Sequence, residues 1–167
     1  MSPPKFNDWD LESNISEALS GLGWEEPTEI QVEAIPVARR GLDVVGQART
    51  GSGKTAAFGI PIIESCEPKQ SVQALVLCPT RELAVQVAEE IGTLQGSKGL
   101  TIETVYGGTD IEKQAKLLDR GVDVIVGTPG RVIDMTKRGH IALENISRFA
   151  LDEADRMLDM GFFPDIL

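Results

Sequence analysis

Short apolar runs alternate with longer amphipathic segments along most of this chain. The apolar runs are rich in β-branched residues and short enough for fully buried strands. They predict five strands, at residues 43–46, 74–78, 102–106, 122–126 and 149–151. Between them, apolar positions at helical spacing predict four helices, at residues 54–66, 81–95, 111–120 and 131–138. Two further helices are predicted before the first strand, at residues 11–22 and 29–39, with Pro36 as a possible kink in the second.

The alternation of strands and helices predicts an α/β fold. Short connections between each strand and the following helix are typical of βαβ crossovers, which form a parallel sheet with helices on both faces. The chain has 167 residues, a one-domain length, and it contains no internal repeat or Gly/Ser-rich linker. Because the ligands of open α/β sheets bind outside the carboxyl ends of the strands, the strand-to-helix junctions are the candidate sites.

The composition is that of a soluble globular protein. The chain is 41% apolar and 25% charged, which excludes a disordered chain, a collagen and a disulfide-rich miniprotein. Cys66 and Cys78 are twelve positions apart and His140 is the single histidine, so neither a zinc site nor a disulfide framework is expected. The longest apolar run, residues 56–63, is too short for a membrane span, and the amino terminus lacks a secretory signal. A cytoplasmic protein with reduced cysteines is therefore expected.

The net charge of −10 argues against a protein that binds nucleic acid through its bulk charge. The acidity is concentrated at the ends, however, because residues 1–34 carry −7, residues 35–150 carry +1 and residues 151–167 carry −4. Four cations lie in or beside the strand-to-helix junctions: Arg49, Lys54, Arg81 and Arg131. The overall acidity is therefore compatible with local phosphate binding.

The first junction carries a glycine-rich phosphate loop of the Walker A type. The sequence ARTGSGKT follows a predicted strand and opens a predicted helix, as this motif requires. Its glycines allow backbone N–H groups and the helix dipole to face an anion. In such a loop Lys54 reaches the β- and γ-phosphates and the Thr55 hydroxyl ligates Mg²⁺. Ala48 stands where the generic pattern has glycine, and the alternative is a plain flexible loop.

Three acidic residues follow the last predicted strand, namely Asp152, Glu153 and Asp155. An aspartate at this place can hold Mg²⁺ through water, and an adjacent glutamate can orient or deprotonate the attacking water. The alternative is a solvated acidic turn that caps the next helix. The presence of a phosphate loop in the same chain favours the metal and water role.

Two other junctions place a threonine before a helix and an arginine in its first turn. An arginine there opposes the helix dipole, unless an anion is bound at the amino end of the helix. Ordinary capping is the alternative for each junction, and a plain turn is the alternative for a glycine pair that follows the third strand. Several such junctions on one sheet edge favour phosphate binding and close approach of a nucleic-acid backbone. The residues concerned are Pro79, Thr80, Arg81, Gly107, Gly108, Thr128, Pro129, Gly130 and Arg131.

An upstream segment offers groups suited to a purine base. Gln31 has a donor and an acceptor that can pair with an adenine edge, and Trp24 offers a stacking face. Core packing is the alternative for Phe6 and Trp24.

Together these motifs resemble the DEAD-box RNA helicases, over essentially the whole chain. Phe6, seventeen positions before Gly23, and the segment GWEEPTEIQ resemble the adenine-sensing Q motif of that family. ARTGSGKT resembles its motif I, PTREL its motif Ia, the pair Gly107 and Gly108 its GG element, TPGR its motif Ib and DEAD its motif II. Ala48 is what this family shows, so the departure from the generic phosphate loop supports the resemblance.

The resemblance implies the first RecA-like domain of such a helicase, with a Q-motif helical segment at residues 1–34 and a partial ATP-binding domain at residues 35–167. It implies that the base of ATP stacks on Trp24, that Mg²⁺ is held through Thr55 and Asp152, and that Asp155 couples the motifs to a second domain. The residues implied for ATP are Phe6, Trp24, Thr28, Gln31, Thr50, Gly51, Ser52, Gly53, Lys54 and Thr55, and those implied for catalysis are Lys54, Asp152 and Glu153.

The resemblance also implies a mechanism. Single-stranded RNA lies across the junction residues of motifs Ia, GG and Ib, through phosphate and sugar contacts of low sequence specificity. ATP closes two RecA-like domains around RNA bent to a shape that a duplex cannot adopt, which separates the strands locally.

The chain stops at Leu167, before the motif III and the second RecA-like domain of that family. Arginine fingers from the second domain contribute roughly 10³–10⁵ in kcat, so this chain alone is expected to hydrolyse ATP barely or not at all. The motif III strand lies between those of motifs I and II in domains of this type, so a gap in the sheet is expected. We hypothesise that Leu167 is an artificial boundary, a cleavage site or the end of a truncated product.

Two other functions stay open from the sequence. One is a DNA-directed translocase or other P-loop ATPase, which the Ia, Ib and Gln31 motifs disfavour. The other is a truncated RNA-binding or interaction module that retains the motifs without turnover.

Overall fold

The computed structural model describes residues 3–41, 53–108 and 110–153. The predicted strand at 43–46, the loop residues Thr50, Gly51 and Ser52, and Asp155 lie outside the described residues. The chain divides into two compact units, one of Met1–Ser65 with Glu90–Gly99 and the other of Cys66–Glu89 with Leu100–Leu167.

The first unit contains a short 3-10 helix and three α-helices among its described residues. The 3-10 helix at Phe6–Trp9 precedes α1 (Ser13–Leu22), α2 (Glu29–Arg39) and α3 (Lys54–Ser65). α1 ends at Gly23, whose φ of +75° is the left-handed conformation that glycine adopts without strain. α2 continues through Pro36. The core of this unit is aliphatic, with Ile15, Ile35, Ile60, Ile63 and Ile91 fully buried.

The second unit is built on a parallel four-stranded sheet. Its strands are β1 (Ala74–Leu77), β2 (Ile102–Val105), β3 (Val124–Gly127) and β4 (Arg148–Leu151), in the order β2-β3-β1-β4. The helix α5 (Ile111–Asp119) follows β2 and α6 (Pro129–Lys137) follows β3. The helix α4 (Arg81–Leu94) follows β1, and its last turns belong to the first unit. These elements confirm the predicted α/β fold with a parallel sheet.

The central strands are buried on both faces. On one face Leu75, Val105 and Ile125 pack in a cluster with Leu118 of α5 and Met135 of α6. The residues that alternate with them along β1 and β3 point to the opposite face and are also fully buried, namely Ala74, Val76, Val124 and Val126. Burial of both faces explains why these strands read in the sequence as continuous apolar runs rather than as alternating patterns.

The strands end at the same level. Leu77 of β1 is in register with both Gly127 of β3 and Leu151 of β4, and Val105 of β2 is also in register with Gly127. All four strands run in the same direction, so the residues that follow them share one edge of the sheet.

Candidate functional site

The second unit brings three predicted RNA-binding junctions and the start of the DEAD segment to one edge. Residues 79–81 follow β1, residues 106–108 follow β2, residues 128–131 follow β3, and residues 152–153 follow β4. The expectation that the candidate residues after these strands share one sheet edge is thereby met for this unit.

The junction after β1 combines a helix cap with an exposed cation. The Thr80 hydroxyl accepts a hydrogen bond from the backbone N–H of Leu83, at 3.2 Å, and so caps α4. Pro79 is buried and Arg81 is exposed. The Arg81 guanidinium lies over the Tyr106 ring, 4.8 Å from its centroid, in a cation–π contact. Capping therefore accounts for the threonine of this junction but not for the arginine.

The junction after β3 differs from the one after β1. Pro129 is the first residue of α6, where the missing N–H of proline costs nothing. The Thr128 side chain makes no capping hydrogen bond, while its backbone N–H donates to the Val105 carbonyl at 2.9 Å. A methyl group built on the exposed Gly130 would meet nothing within 4 Å. Arg131 is partly buried, and its Nη1 donates to Gln114 Oε1 at 3.0 Å.

The glycine pair after β2 faces open space. Gly107 and Gly108 are both exposed, and a Cβ on either would meet nothing within 4 Å. Gly108 has a φ of +82°, so its backbone conformation favours glycine. Nothing in the packing of the described residues requires Gly107 to lack a side chain.

In the first unit, Gln31 ties the start of α2 to the start of α3. Its side chain is 1% exposed. Its Oε1 accepts a hydrogen bond from the Thr28 N–H at 2.9 Å, and its Nε2 donates to the Gly53 carbonyl at 3.0 Å. Gly53 has a φ of +84°, and a Cβ there would lie 2.3 Å from Gln31 Nε2. This contact therefore needs glycine at position 53 for two separate reasons.

Within the described residues, these contacts use only part of the hydrogen-bonding capacity of the Gln31 amide. An amide group has two N–H donors and two acceptor lone pairs, and these two hydrogen bonds use one of each. Lys54 and Thr55 are the first residues of α3, directly after Gly53, so they lie at the positive end of a helix dipole.

The two aromatic candidates of the first unit have different environments. Phe6 is buried and packs edge-to-face on Trp9, with centroids 5.8 Å apart. The Phe6 N–H donates to the Glu25 carbonyl at 3.1 Å. Trp24 is 40% exposed and lines a cleft of about 290 Å³ together with Phe6 and Glu25. Core packing thus describes Phe6, while Trp24 keeps an accessible ring.

The DEAD segment begins with a sharp turn. Asp152 is 3% exposed, and its backbone N–H extends the β1 ladder by donating to the Leu77 carbonyl at 2.8 Å. Glu153 has a φ of +54°, a left-handed conformation that is uncommon for residues other than glycine. Strained backbone of this kind is concentrated at functional sites.

No group of three potential metal ligands among His, Cys, Asp and Glu occurs within residues 3–41, 53–108 and 110–153. The hydroxyl of Thr55 belongs to the first unit and the carboxylate of Asp152 to the second. Both are hard oxygen donors, the type that Mg²⁺ takes in small numbers while it keeps water and phosphate oxygens.

Two residues at the sheet edge belong to none of the sequence motifs. Gln114, in α5, bonds Arg131, and Tyr106 contacts Arg81. Gln114 sits on an amphipathic helix where a glutamine is ordinary, and Tyr106 reads as the end of an apolar run. Neither could be distinguished from a structural residue by its type or spacing.

Comparison with known proteins identifies the class to which this chain belongs. A sequence model of the DEAD/DEAH box helicase family matches residues 28–167. The chain therefore belongs to the DEAD/DEAH box helicase family, in agreement with the resemblance carried by its motifs.

Named relatives come from several bacteria. The chain is 50% identical over 162 residues to the DEAD-box ATP-dependent RNA helicase CshA of Geobacillus kaustophilus. The aligned region covers 96% of this chain and 35% of that protein. It is 46% identical over 162 residues to the protein of the same name from Bacillus subtilis, covering 96% of this chain and 33% of that protein. The chain spans about a third of the length of these curated relatives.

A solved structure shares the fold. The crystal structure of a DEAD box protein from the hyperthermophile Methanococcus jannaschii matches with a TM-score of 0.92 and 48% identity. The match covers 97% of this chain and 45% of that one. Within the described part of this chain, no helix is long and apolar enough to cross a membrane.

Proposed function

We propose that this chain is the ATP- and RNA-binding first domain of an ATP-dependent RNA helicase that separates RNA strands locally. The observation that carries the proposal is the shared edge of the sheet, where the exposed glycine pair after β2, Arg131 after β3 and Arg81 after β1 follow three neighbouring strands. Membership of the DEAD/DEAH box family and relatives named ATP-dependent RNA helicases support it.

The RNA is proposed to lie along this edge. The guanidinium groups bind phosphates, and the glycine backbones allow close approach of the sugar-phosphate chain. Contacts of this kind position the RNA without reading its bases, so sequence specificity is low. The residues proposed to contact RNA are Pro79, Thr80, Arg81, Gly107, Gly108, Thr128, Pro129, Gly130 and Arg131.

ATP is proposed to bind through the Q motif and the phosphate loop. The remaining donor and acceptor of Gln31 pair with the adenine edge, and Trp24 stacks on the base. Lys54 binds the β- and γ-phosphates, and Glu153 orients or deprotonates the attacking water. Thr55 and Asp152 are suited to hold Mg²⁺, which when bound neutralises phosphate charge.

The whole protein is proposed to work with a second RecA-like domain, to which Asp155 couples these motifs. ATP closes the two domains around RNA, and arginines of the second domain complete the ATPase site. This chain alone is therefore proposed to bind ATP and RNA but to hydrolyse ATP slowly. A cytoplasmic location is proposed, since the relatives are named RNA helicases.

RNA binding is tested with the 167-residue chain and a fluorescein-labelled single-stranded RNA, by fluorescence anisotropy at low salt. Arg81→Ala and Arg131→Ala are expected to weaken RNA binding several-fold. Arg138→Ala is the matched control, because Arg138 is an exposed arginine that follows α6 and pairs with Asp134 in the same turn. Equal weakening by all three variants would mean that bulk charge, not this edge, binds RNA.

Two further measurements separate the alternatives. A DNA strand of the same sequence that binds and stimulates ATP hydrolysis as well as RNA would favour a DNA-directed ATPase. Lys54→Ala and Glu153→Gln are compared with the unmodified chain for ATP hydrolysis and for binding of a fluorescent ATP analogue. Loss of nucleotide binding in Lys54→Ala supports the proposal, whereas equal hydrolysis rates in all three mean that this chain has no turnover of its own.

A further inference from the structure

We propose that Gln114 and Tyr106 are positioning residues that hold Arg131 and Arg81 in place for RNA phosphates. This inference rests on the proposed RNA binding at the sheet edge. It assigns a role to two residues that no motif of the sequence identifies.

Gln114 links the arginine of one junction to the backbone of another. It lies in α5 and is 8% exposed. Its Oε1 accepts the hydrogen bond from Arg131 Nη1 at 3.0 Å, and its Nε2 donates to the Tyr106 carbonyl at 3.0 Å. The two partners fix the amide orientation, because a flipped amide would set N–H groups against the guanidinium and oxygen against the carbonyl.

Tyr106 holds the other arginine. Its carbonyl accepts from Gln114, while the face of its ring carries the Arg81 guanidinium at 4.8 Å. Tyr106 directly precedes Gly107. The residue that contacts both Arg81 and Gln114, the partner of Arg131, therefore also leads into the glycine pair. The junctions after β1, β2 and β3 are thereby joined through one residue.

The chemistry of this chain of contacts suits phosphate binding. Two guanidinium groups on one edge must be held without cancelling their charge. An aspartate or glutamate in this place would offset the charge of Arg131, whereas the Gln114 amide is neutral and orients the guanidinium through a hydrogen bond. A tyrosine ring likewise orients Arg81 through its face and carries no opposing charge. Long cations fixed in this way lose less rotamer freedom when an anion binds.

The first test compares two buried glutamines. Gln114→Met keeps the length of the side chain and removes both hydrogen bonds, so RNA affinity is expected to fall about fivefold, as for coupled neighbouring residues. Gln73→Met is the matched control. Gln73 is buried before β1, at the opposite edge of the sheet, and donates to the Glu67 and Ser71 carbonyls. Both variants lose stability, and only Gln114→Met is expected to lose RNA affinity.

The second test asks whether Gln114 acts through Arg131. In an Arg131→Ala background, Gln114→Met is expected to cause no further loss of RNA affinity. For the other arginine, Tyr106→Phe keeps the ring face and is expected to bind RNA within about twofold of the unmodified chain, while Tyr106→Leu is expected to lose affinity to the level of Arg81→Ala. All variants are measured well below their unfolding temperatures, with near-ultraviolet circular dichroism as the check of folding.

Each outcome has a defined meaning. The inference is overturned if Gln114→Met binds RNA as well as Gln73→Met does, or if its effect adds in full to that of Arg131→Ala. Should Gln114→Met not fold, equal RNA affinities of Tyr106→Phe and Tyr106→Leu overturn it. If Arg81→Ala and Arg131→Ala themselves bind RNA normally, the proposed function of this edge fails and the inference falls with it. A loss in the arginine variants alone leaves the proposed function standing and rejects only the positioning role.

Discussion

Asp123 is a buried carboxylate whose hydrogen bonds give it a structural role. It is 1% exposed and directly precedes β3. Its Oδ1 accepts from the Lys69 and Ser71 N–H groups at 3.2 and 3.3 Å and from Gln73 Nε2 at 3.1 Å, while its Oδ2 accepts from the Thr101 N–H at 3.0 Å. One side chain thus joins the segments that lead into β1, β2 and β3.

We predict that Asp123→Asn lowers the free energy of unfolding by about 2–4 kcal/mol, because an amide presents N–H groups to backbone donors and weakens charge-assisted hydrogen bonds. Urea unfolding followed by circular dichroism measures the change. Asp119→Asn is the control, since the Asp119 side chain is 60% exposed and its carboxylate contacts His140 Nδ1 at 2.8 Å. Equal losses in the two variants would contradict the role of the buried network.

Glu103, in β2, carries a cost of burial that depends on pH. Burial raises the pKa of this carboxyl above its ordinary value of 4.5. A group with a raised pKa in the folded state contributes stability that is fully present below 4.5 and is lost as the pH rises through the folded-state value. The buried negative charge of Glu103 therefore lowers the stability of the folded state at neutral pH.

Glu103→Gln is accordingly predicted to be more stable than the unmodified chain near pH 7 and equally stable near pH 4. The measurement is the urea midpoint at both pH values, and the lower pH serves as the internal control for changes in packing. A stability difference of the same size at the two pH values would show that charge burial is not its cause.

At the scale of elements, the sequence predicted those parts whose signal is local. The four described strands and the helices fall within two residues of their predicted bounds, because strands buried on both faces read as unbroken apolar runs and amphipathic helices show their period. The strand predicted at 122–126 begins two residues later, at Val124. The N–H groups of Asp123 and Val124 both donate to the Thr101 carbonyl, so the regular one-to-one pairing does not extend back to Asp123. The 3-10 helix at Phe6–Trp9 was not predicted, since four residues are too few to show a period.

The contacts between elements could not be predicted in this way. The motifs identified which junctions carry arginines, and the parallel sheet placed them on one edge. The order β2-β3-β1-β4 and the contacts of Gln114 depend on how separate elements meet. Residue types and spacing in one sequence do not indicate that a glutamine in α5 forms a hydrogen bond with an arginine in α6.

Gly127 sets how closely β3 approaches β2 and α6. A Cβ at this position would lie 2.4 Å from the Val105 carbonyl oxygen and 2.6 Å from a methyl carbon of Val132. Gly127→Ala is therefore predicted to cost about 1–3 kcal/mol, the range of overpacking. Gly130→Ala is the matched control, because its added methyl meets nothing within 4 Å and alanine favours the helix. Thermal unfolding should show a lower midpoint in the first variant alone, and equal midpoints would contradict the close approach.

At the scale of the whole molecule, the charge of −10 coexists with a candidate phosphate-binding edge because charge is distributed unevenly. Residues 35–150 sum to +1, so the excess of negative charge does not come from the part of the sequence that contains Arg81 and Arg131. Binding that depends on two local cations should respond to salt weakly, in contrast to proteins that cover DNA with a broad basic surface.

The slope of log RNA affinity against log salt concentration therefore measures the number of phosphate contacts. Each phosphate neutralised on a single strand contributes a slope of about 0.7 to the fall of log affinity with log salt. Two arginine contacts predict a slope of about −1.4, which Arg81→Ala and Arg131→Ala each reduce by about 0.7 and Arg138→Ala leaves unchanged. Anisotropy titrations at four or more salt concentrations measure these slopes. A slope that neither junction variant changes would place the RNA on another surface, and a steeper slope that both reduce by the same amount would mean that further cations join the same edge.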